Sequence, residues 1–397
     1  MLTAGSISLS DSLVDFFNQT GFAGATWGNI AMILVAFLLL YLAIKHKFEP
    51  LLLFTIAFGM LLTNLPGANM FHSELFAGGH IHWGNFIQDA GLLDYLYLGV
   101  KLGIYPCLIF IGVGAMTDFG PLIANPKSFM LGAAAQLGIF VTFLGAYALG
   151  FTPAQAGSIG IIGGADGPTA IFLTARLAPE LLGPIAVAAY SYMALVPVIQ
   201  PPIMRLLTTK KERAMHMPYN PKHVSRSLRI CFPIMVTIIA GFIAPMSVSL
   251  VGFLMFGNLL RECGVLNALS ETAQNVLANL ITIVLGLTVA GQMTADKFVR
   301  PDTLLILALG LVAFVFDTAG GVLFAKLLNL FLPEGKKLNP MIGAAGISAF
   351  PMSGRVVNKM GLEEDNQNFL LMYSISVNVS GQIASVIAGG LILTLMA

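Results

Sequence analysis

Residues 158–169 read Ser-Ile-Gly-Ile-Ile-Gly-Gly-Ala-Asp-Gly-Pro-Thr. The surrounding sequence is strongly apolar, but the glycines and the proline are incompatible with an uninterrupted helix. An interrupted backbone survives at membrane depth only inside protein or beside water, where its freed polar groups find partners. Asp166 lies at the interruption, and a charge there costs about 2.5–3.5 kcal/mol on insertion scales. The stretch therefore predicts a broken membrane helix with a functional carboxylate.

The composition predicts an all-α polytopic membrane protein. Hydrophobic residues make up 57% of the 397 positions and charged residues only 10%, whereas a soluble domain carries about 25% charged residues. Apolar runs of about 20 residues recur, as membrane helices require, and the alternating strands of a membrane barrel are missing. We expect ten to twelve membrane segments. The net charge of +1 predicts no nucleic-acid partner, and the three cysteines predict neither a disulfide nor a zinc site.

The N-terminal segment 1–27 predicts an interfacial helix rather than a signal peptide. It contains no Lys or Arg, whereas a secretory signal begins with basic residues. Leu9, Leu13, Phe16 and Phe17 recur at helical spacing, which predicts an amphipathic helix lying at the membrane surface. A frayed terminus is the alternative interpretation.

The loop 206–229 sets the expected orientation, because it and its flank hold a cluster of basic residues. These residues are Arg205, Lys210, Lys211, Arg213, Lys222, Arg226 and Arg229. We expect the protein to lie in the cell inner membrane. The positive-inside rule then places this loop on the cytoplasmic side. The loop 66–91 is then expected on the outer face. Its His80 and His82 fit a solvated loop better than a metal site, since no third ligand is evident.

The chain is expected to contain two pseudo-repeats, which we place at 28–205 and 230–397. A Met-Thr pair and a long apolar run occur in both halves, followed by an interrupted stretch at 157–176 in the first half and at 340–356 in the second. Two Gly/Pro-interrupted segments in corresponding positions, here about 180 residues apart, are the best sequence indication of a transport site at the membrane midplane.

The second interrupted stretch offers neutral oxygen atoms for a cation site around Asp166. Asn339 and Ser348 carry polar side chains, and the backbone around Gly343 has few side chains to cover its carbonyl groups. One carboxylate with neutral oxygens suits a monovalent cation, since a divalent ion usually recruits more carboxylates. Asn378 on the last helix is either a further ligand or part of ordinary helix packing.

Several residues keep two interpretations on sequence grounds. Asp166 also fits the cap of the helix that follows it, a role that is compatible with ion binding. Asp317 interrupts the apolar run 303–332 and either binds an ion or caps a helix. Tyr192 is either an interfacial aromatic residue or a proton donor. Arg355 either binds a carboxylate or marks the cytoplasmic surface.

Together these segments resemble the beta subunit of the biotin-dependent, sodium-translocating decarboxylases, the family of the oxaloacetate, methylmalonyl-CoA and glutaconyl-CoA decarboxylases. The resemblance is carried by Gly-Gly-Ala-Asp-Gly-Pro-Thr at 163–169, Tyr-Ser-Tyr-Met-Ala-Leu-Val-Pro at 190–197, Gln-Pro-Pro at 200–202 and the stretch 339–355. It covers most of the chain, from near residue 28 to the end.

The resemblance implies that a soluble carboxyltransferase subunit transfers a carboxyl group to biotin on a carrier protein. This chain would then decarboxylate carboxybiotin and move Na+ outward. By position in the matching motifs, the ligands of the ion or of carboxybiotin would be Asp166, Asn339, Gly343, Ser348 and, as a weaker candidate, Asn378.

The same resemblance implies roles for two further residues and for other proteins. Tyr192 would handle the proton that biotin takes up, and Arg355 would hold the carboxylate of carboxybiotin near the cytoplasm. The implied partners are the carboxyltransferase, the biotin carrier and a small single-span membrane subunit, in an oligomer embedded in membrane lipid. The biotin would be attached to a partner, not to this chain.

A stand-alone secondary transporter of organic anions, coupled to Na+ or protons, is the alternative hypothesis. The chain has neither a nucleotide-binding Gly-x-x-x-x-Gly-Lys-[Ser/Thr] motif nor an Ala-Met-Lys-Met site for attaching biotin. Its energy must therefore come from another gradient or from a partner protein. The sequence does not identify the carboxylic acid that the complex consumes.

Overall fold

All regular structure in the computed structural model is helical. The structure describes residues 14–18, 20–46, 50–217, 224–298, 300–349 and 352–396, and no β-strand occurs in those ranges. The prediction of an all-α membrane protein is confirmed to this extent.

The helices of the first half, before the basic loop, are short on average. They are α1 (Trp27–Lys45), α2 (Pro50–Thr63), α3 (Trp83–Asp89), α4 (Leu92–Lys101), α5 (Ile104–Met116), α6 (Gly120–Ala124), α7 (Ser128–Ala134), α8 (Leu137–Ala148), α9 (Pro153–Gly160), α10 (Gly167–Leu177) and α11 (Leu182–Leu207). Three 3-10 turns lie between them, at Ser73–Gly79, Ile161–Gly164 and Pro179–Leu181.

The second half contains the longest described helix, Pro301–Phe331. Its elements are α12 (Lys210–Arg213), α13 (Arg226–Ile243), α14 (Val248–Glu262), α15 (Asn267–Glu271), α16 (Ala278–Val289), α17 (Ala295–Phe298), α18 (Pro301–Phe331), α19 (Met352–Glu364) and α20 (Leu371–Met396). Short turns lie at Pro245–Ser247, Thr272–Leu277 (a π turn), Ala290–Gln292 and Pro340–Gly346.

Six described helices are long and apolar enough to cross a membrane. They are Trp27–Lys45, Ser128–Ala148, Arg226–Ile243, Asn267–Gln292, Pro301–Phe331 and Leu371–Met396. Two bent pairs raise the number to eight if each pair forms one span. The ten to twelve segments expected from sequence also included short and interrupted stretches, such as Leu51–Thr63, so that count stays a prediction.

Both bends have a local cause. The axes of α4 and α5 differ by 65°, and Gly103 between them adopts a left-handed φ of 74°, which glycine reaches without steric cost. The second bend, of 63°, separates Pro179–Met193 from Leu195–Leu207. Pro197 lies inside this helix, where its ring clashes with the carbonyl of the residue four positions earlier and removes one hydrogen bond.

The buried apolar residues form two main clusters, and each draws on both halves of the chain. One cluster surrounds the interrupted stretches and includes Ile162, Phe314 and Val377. The other joins α1 and α2 to the end of α16, through residues such as Met60 and Leu285. The two halves are therefore interwoven, and their relation as repeats stays a prediction.

The outermost helices, α1 and α13, present mostly apolar surface to the outside. Only 17% and 11% of their apolar windows are buried, which is the pattern of helices that face lipid. Residues 14–18 form a helical turn with Phe16 and Phe17 exposed. Leu9 and Leu13 lie outside the described residues, so the interfacial segment 1–27 stays a prediction.

The basic loop 206–229 is described except for residues 218–223. Its helix α12 begins with a capping box, in which Thr209 and Glu212 satisfy each other's free N–H groups. Partial burial alone would raise the pKa of Glu212, but hydrogen bonds from Thr209 and the Lys326 ammonium lower it below its ordinary value. The loop is thus attached to α18 by a charged contact.

Candidate ion-binding site

The first interrupted stretch breaks because of its local residues. Helix α9 ends in the 3-10 turn Ile161–Gly164, and Ala165 follows with a left-handed φ of 51°. A non-glycine residue in that region is uncommon and costs conformational energy. Asp166 is then extended and caps α10, which begins at Gly167. The capping role expected for Asp166 is therefore present at an interruption of the backbone.

Asp166 is held by hydroxyl groups and is only 8% exposed. Thr169 donates from its Oγ1 to Asp166 Oδ2 at 2.7 Å, and from its backbone N–H to Oδ1 at 3.4 Å. Ser385 Oγ on α20 lies 3.4 Å from the same Oδ2. No ion pair to Asp166 occurs among the described residues. This carboxylate therefore has polar neighbours but no cationic partner from the described chain.

The second interrupted stretch meets the first at this point. The backbone N–H of Ser348 donates to the carbonyl oxygen of Gly164 at 3.3 Å. The side-chain Oγ of Ser348 lies 2.8 Å from Ser385 Oγ. Asp166, Ser385 and Ser348 thus form a chain of oxygen atoms that joins both stretches to α20. Of the residues predicted for the site, Asp166 and Ser348 are brought together.

The backbone of the second stretch is satisfied by side-chain amides. Four consecutive carbonyl oxygens, 344 to 347, each accept a hydrogen bond from Gln or Asn. The pairs are Gln200 Nε2 with Ala344 O (2.7 Å), Asn378 Nδ2 with Ala345 O (3.1 Å) and Ile347 O (2.6 Å), and Gln136 Nε2 with Gly346 O (3.1 Å). Non-helical backbone at membrane depth requires such partners. Asn378 therefore acts here as a clamp on the second stretch.

Asn339 and Gly343 lie elsewhere along the same stretch. The Asn339 amide donates to the carbonyls of Arg213 and Met215 at 2.9 and 3.0 Å, and its Oδ1 accepts the N–H of Met341. It therefore joins the start of the stretch to the basic loop. Gly343 packs directly on α18, where a Cβ atom would lie only 2.0 Å from the carbonyl oxygen of Gly321. Neither of these contacts brings Asn339 or Gly343 to Asp166.

The two tyrosines of α11 have different surroundings. The Tyr192 hydroxyl donates to the carbonyl of Leu307 on α18 at 2.5 Å, and the side chain is half-buried. The Tyr190 ring lies against Gly167, where a Cβ atom would come within 2.1 Å of the ring. Tyr190, which the sequence interpretation passed over, is therefore the tyrosine that contacts the Asp166 segment directly.

Asp317 is also buried, and its carboxylate has a different set of partners from that of Asp166. Its Oδ1 accepts the backbone N–H of Gly138 at 2.6 Å, at the start of α8. Its Oδ2 has no hydrogen-bond partner in the described chain and lies 2.9 Å from the position that a Cβ on Gly163 would take. The carboxylate thus caps the helix break after α7, so capping is the interpretation that its contacts favour.

The described residues contain no group of three or more His, Cys, Asp and Glu side chains placed to hold a metal ion. The oxygen atoms near Asp166 come instead from one carboxylate and neutral hydroxyls. That donor set suits a hard monovalent ion and lacks the charge that divalent sites usually recruit.

A known protein family matches this chain over almost its whole length. Residues 28–396 match the protein family described as the Na+-transporting oxaloacetate decarboxylase beta subunit. The chain belongs to this family. The prediction of a beta subunit of a sodium-pumping, biotin-dependent decarboxylase complex is thereby confirmed, and the chain is a multi-pass membrane component of such a complex.

Relatives of this beta subunit are similar over nearly their full length. The methylmalonyl-CoA decarboxylase subunit beta of Propionigenium modestum is 55% identical over 393 residues, covering 97% of this chain and 99% of that protein. The glutaconyl-CoA decarboxylase subunit beta of Acidaminococcus fermentans is 49% identical, covering 97% and 98%. The oxaloacetate decarboxylase beta chain of Haemophilus ducreyi is 47% identical, covering 96% and 98%.

Sequence reasoning missed the hydroxyls and amides that complete the site. Thr169 follows Asp166 by three residues, the spacing at which a capping carboxylate meets its N–H, so it was within reach of the sequence. Ser385 and Gln136 lie 219 and 30 positions from Asp166 in the sequence. No local pattern marks those two residues, because only the packing of α7 and α20 brings them to the interrupted stretches.

Proposed function

We propose that this beta subunit binds Na+ at Asp166, between the two interrupted stretches, and moves it outward as carboxybiotin loses CO2. The observation that carries the proposal is the continuous contact from Asp166 through Ser385 to Ser348. It unites the single charge with neutral oxygens from both stretches and from α20. The candidate ligands are Asp166, Thr169, Ser348 and Ser385, with the Gly164 carbonyl beside them.

The other predicted ligands receive supporting roles in this proposal. Asn378 fixes the carbonyls of the second stretch, and Asn339 fixes its start to the basic loop. Gly343 permits the stretch to lie directly on α18. These three residues would keep the second stretch, and with it Ser348, in place.

The chemistry of decarboxylation needs a group that holds a carboxylate and a group that supplies a proton. The N–COO⁻ bond breaks, CO2 leaves, and the resulting urea nitrogen takes up one proton. Arg355 is exposed on α19 and is our candidate for holding the carboxylate. Tyr192, with its half-buried hydroxyl, is our candidate proton donor. Tyr190 would serve as a wall of the ion site.

Coupling requires that the ion and carboxybiotin favour particular conformations. Moving one Na+ outward against 100 mV costs about 2.3 kcal/mol, which decarboxylation would supply. Each ligand shifts the equilibrium only by its difference in affinity for the two conformations. Both interrupted stretches contact α18. The proposed motion is therefore a rocking of α18 and the two stretches against the apolar cluster that includes Met60 and Leu285.

The complex would contain the partners that the resemblance implies. We propose a soluble carboxyltransferase, a biotin carrier and a small single-span subunit, with the loop 206–229 on the cytoplasmic side of the cell inner membrane. The relatives are named for oxaloacetate, methylmalonyl-CoA and glutaconyl-CoA decarboxylases. Similar beta subunits therefore accompany different substrates, which supports substrate choice by the carboxyltransferase.

The test is sodium transport by the reconstituted complex. The holoenzyme in proteoliposomes is given its acid or acyl-CoA substrate, and the movement of radioactive Na+ is followed with and without avidin, which sequesters biotin. We expect transport that requires substrate and stops with avidin. Uptake of carboxylates by the beta subunit alone, unaffected by avidin, would instead favour the stand-alone transporter.

A further inference from the structure

A groove runs along α19 and the start of α20, at the end of the molecule where the basic loop lies. Its volume is about 370 Å3. The residues that line it, here called the α19 groove, are Arg355, Asn358, Lys359, Leu362, Glu363 and Leu371. Arg355 and Lys359 are four positions apart on α19 and therefore lie on one face of the helix, one turn from each other.

Most charged groups around this groove are paired. Arg205 bonds Glu363 at 3.2 Å, His216 bonds Asp365 at 2.8 Å, and Lys326 bonds Glu212 at 3.1 Å. The remaining pair joins Arg213 to Glu364. Glu363, the acidic residue that lines the groove, is thus already paired with Arg205, which does not line it.

Arg355 and Lys359 differ from these neighbours. Both are exposed, and neither forms an ion pair or a side-chain hydrogen bond within the part of the chain that the structure describes. The groove therefore presents two unpaired cations beside the apolar side chains of Leu362 and Leu371. The side-chain oxygen of Asn358 is already hydrogen-bonded, since Oδ1 accepts the backbone N–H of Leu370 at 3.0 Å.

This combination fits an anion attached to a compact, mostly apolar ring. A guanidinium binds a carboxylate through two parallel hydrogen bonds, and an ammonium adds a point charge that tolerates different geometries. Two leucines offer the apolar surface against which a ring would lose its contact with water. Carboxybiotin, a carboxylated cyclic urea fused to a thioether ring, has this chemistry.

We propose that Lys359 is a second carboxylate-binding residue, which holds the carboxyl group of carboxybiotin together with Arg355 while the ring rests on Leu362 and Leu371. The inference depends on the proposed decarboxylation of carboxybiotin by this chain, but it adds a residue and a surface to that function. Lys359 acts in binding. Its loss therefore lowers the affinity for carboxybiotin more than it lowers the rate at which bound carboxybiotin is decarboxylated.

The experiment measures decarboxylation of carboxybiotin amide by the purified holoenzyme, with Lys359→Met, Lys359→Arg and the control Lys336→Met. Lys336 is also exposed, on the loop that follows α18. We expect Lys359→Met to raise KM about tenfold, which is about 1.4 kcal/mol, with kcat within twofold of wild type. Lys359→Arg should restore most of the affinity, and Lys336→Met should leave KM unchanged.

A second measurement separates binding from structural damage. Biotin amide without the carboxyl group serves as a competitive inhibitor, and its inhibition constant should be the same in Lys359→Met and wild type. An unchanged KM in Lys359→Met, or an equal loss for both ligands, would overturn the proposal. If Lys359→Met is normal while Asp166→Asn is inactive, only this inference fails and the proposed function stands.

Discussion

The two interrupted stretches meet beside Asp166, but their polar groups are satisfied in different ways. In the second stretch, the carbonyls 344–347 accept hydrogen bonds from Gln and Asn amides. In the first, Asp166 receives the hydroxyls of Thr169 and Ser385. An amide N–H2 group only donates, whereas a hydroxyl also offers lone pairs and can rotate. The first stretch is therefore suited to accept a cation, and the second to hold its shape.

Asp166 and Asp317, both buried beside the interrupted first stretch, repeat this contrast. Asp166 has hydroxyl partners, which can turn their oxygens toward an ion. Asp317 has a backbone N–H of α8 as its partner, which is fixed by the helix and stabilises a carboxylate at that N-terminus. Burial alone thus does not distinguish an ion ligand from a structural cap. We propose that the partners of the carboxylate make the distinction, since Asp166 receives hydroxyl groups in addition to the backbone N–H that it caps.

The largest effect is expected from Asp166→Asn, which removes the charge and keeps the shape. Loss of a charged ligand should lower Na+-dependent decarboxylation by about 100-fold or more, while carboxyl transfer to biotin by the partner continues. The measurement is decarboxylation at varied Na+ with the transfer half-reaction assayed separately. A variant that keeps wild-type sodium dependence would refute the assignment of the site.

Ser385→Ala tests the hydroxyl bridge between the stretches. Loss of one neutral ligand should raise the Na+ concentration for half-maximal activity about tenfold. Ser380→Ala is the matched control on the same helix, because Ser380 Oγ donates to the carbonyls of Ser128 and Val377. Equal sodium dependence in the two variants would show that Ser385 is no part of the site.

Gln200→Leu tests the amide-satisfied stretch and should affect stability rather than ion affinity. It leaves the buried Ala344 carbonyl without its donor, which costs about 1–3 kcal/mol. Unfolding in detergent should show the loss, with Val198→Leu, at an exposed position of the same helix, as a control. A large change in sodium affinity without destabilisation would mean that the carbonyl groups of the second stretch bind the ion.

Asp317→Asn sharpens the comparison of the two carboxylates. The Asn oxygen still accepts the Gly138 N–H, so we expect sodium dependence within about twofold of wild type and a drop of a few degrees in Tm, since the cap loses its charge. Activity against Na+ and thermal unfolding are both measured. Loss of sodium dependence as severe as in Asp166→Asn would make Asp317 a second ion ligand.

The smallest effect is expected from Asn339→Ala. This change removes the Asn339 donor from the carbonyls of Arg213 and Met215, of which the Arg213 carbonyl keeps the amide of Asn368, so the basic loop should open more often. Trypsin should then cleave near Lys210 and Lys211 about fivefold faster, equivalent to roughly 1 kcal/mol of local stability. An unchanged cleavage rate would show that other contacts hold the loop.

The sequence predicted the charge, the interruption, Ser348 and the family, but not the hydroxyls of Thr169 and Ser385 that contact the charge. Glycine and proline around Asp166 act locally, so they are readable without a structure. Ser385 and Gln136 reach the site only through packing between helices distant in sequence. Asn378 and Gly343 were predicted as ligands, but residue type alone does not distinguish ion binding from the hydrogen bonding and close packing that they make with the second stretch and α18.

The bend of α11 shows the same limit. Pro197 accounts for the distortion of this helix, but which of Tyr190 and Tyr192 contacts the Asp166 segment depends on how the bent helix lies against Gly167 and Leu307. The two tyrosines are two residues apart in the helix and therefore lie on different faces of it. The structure turns Tyr190 toward the segment.

The central claim is that Asp166 holds Na+, and linkage between binding and folding tests it most directly. The unfolding temperature of the purified beta subunit is measured while Na+ replaces K+ at constant ionic strength, for wild type and Asp166→Asn. A bound ion stabilises the folded state in proportion to the logarithm of its concentration above Kd. We predict that Tm rises with Na+ in wild type and stays flat in Asp166→Asn; an equal rise in both proteins would contradict the account.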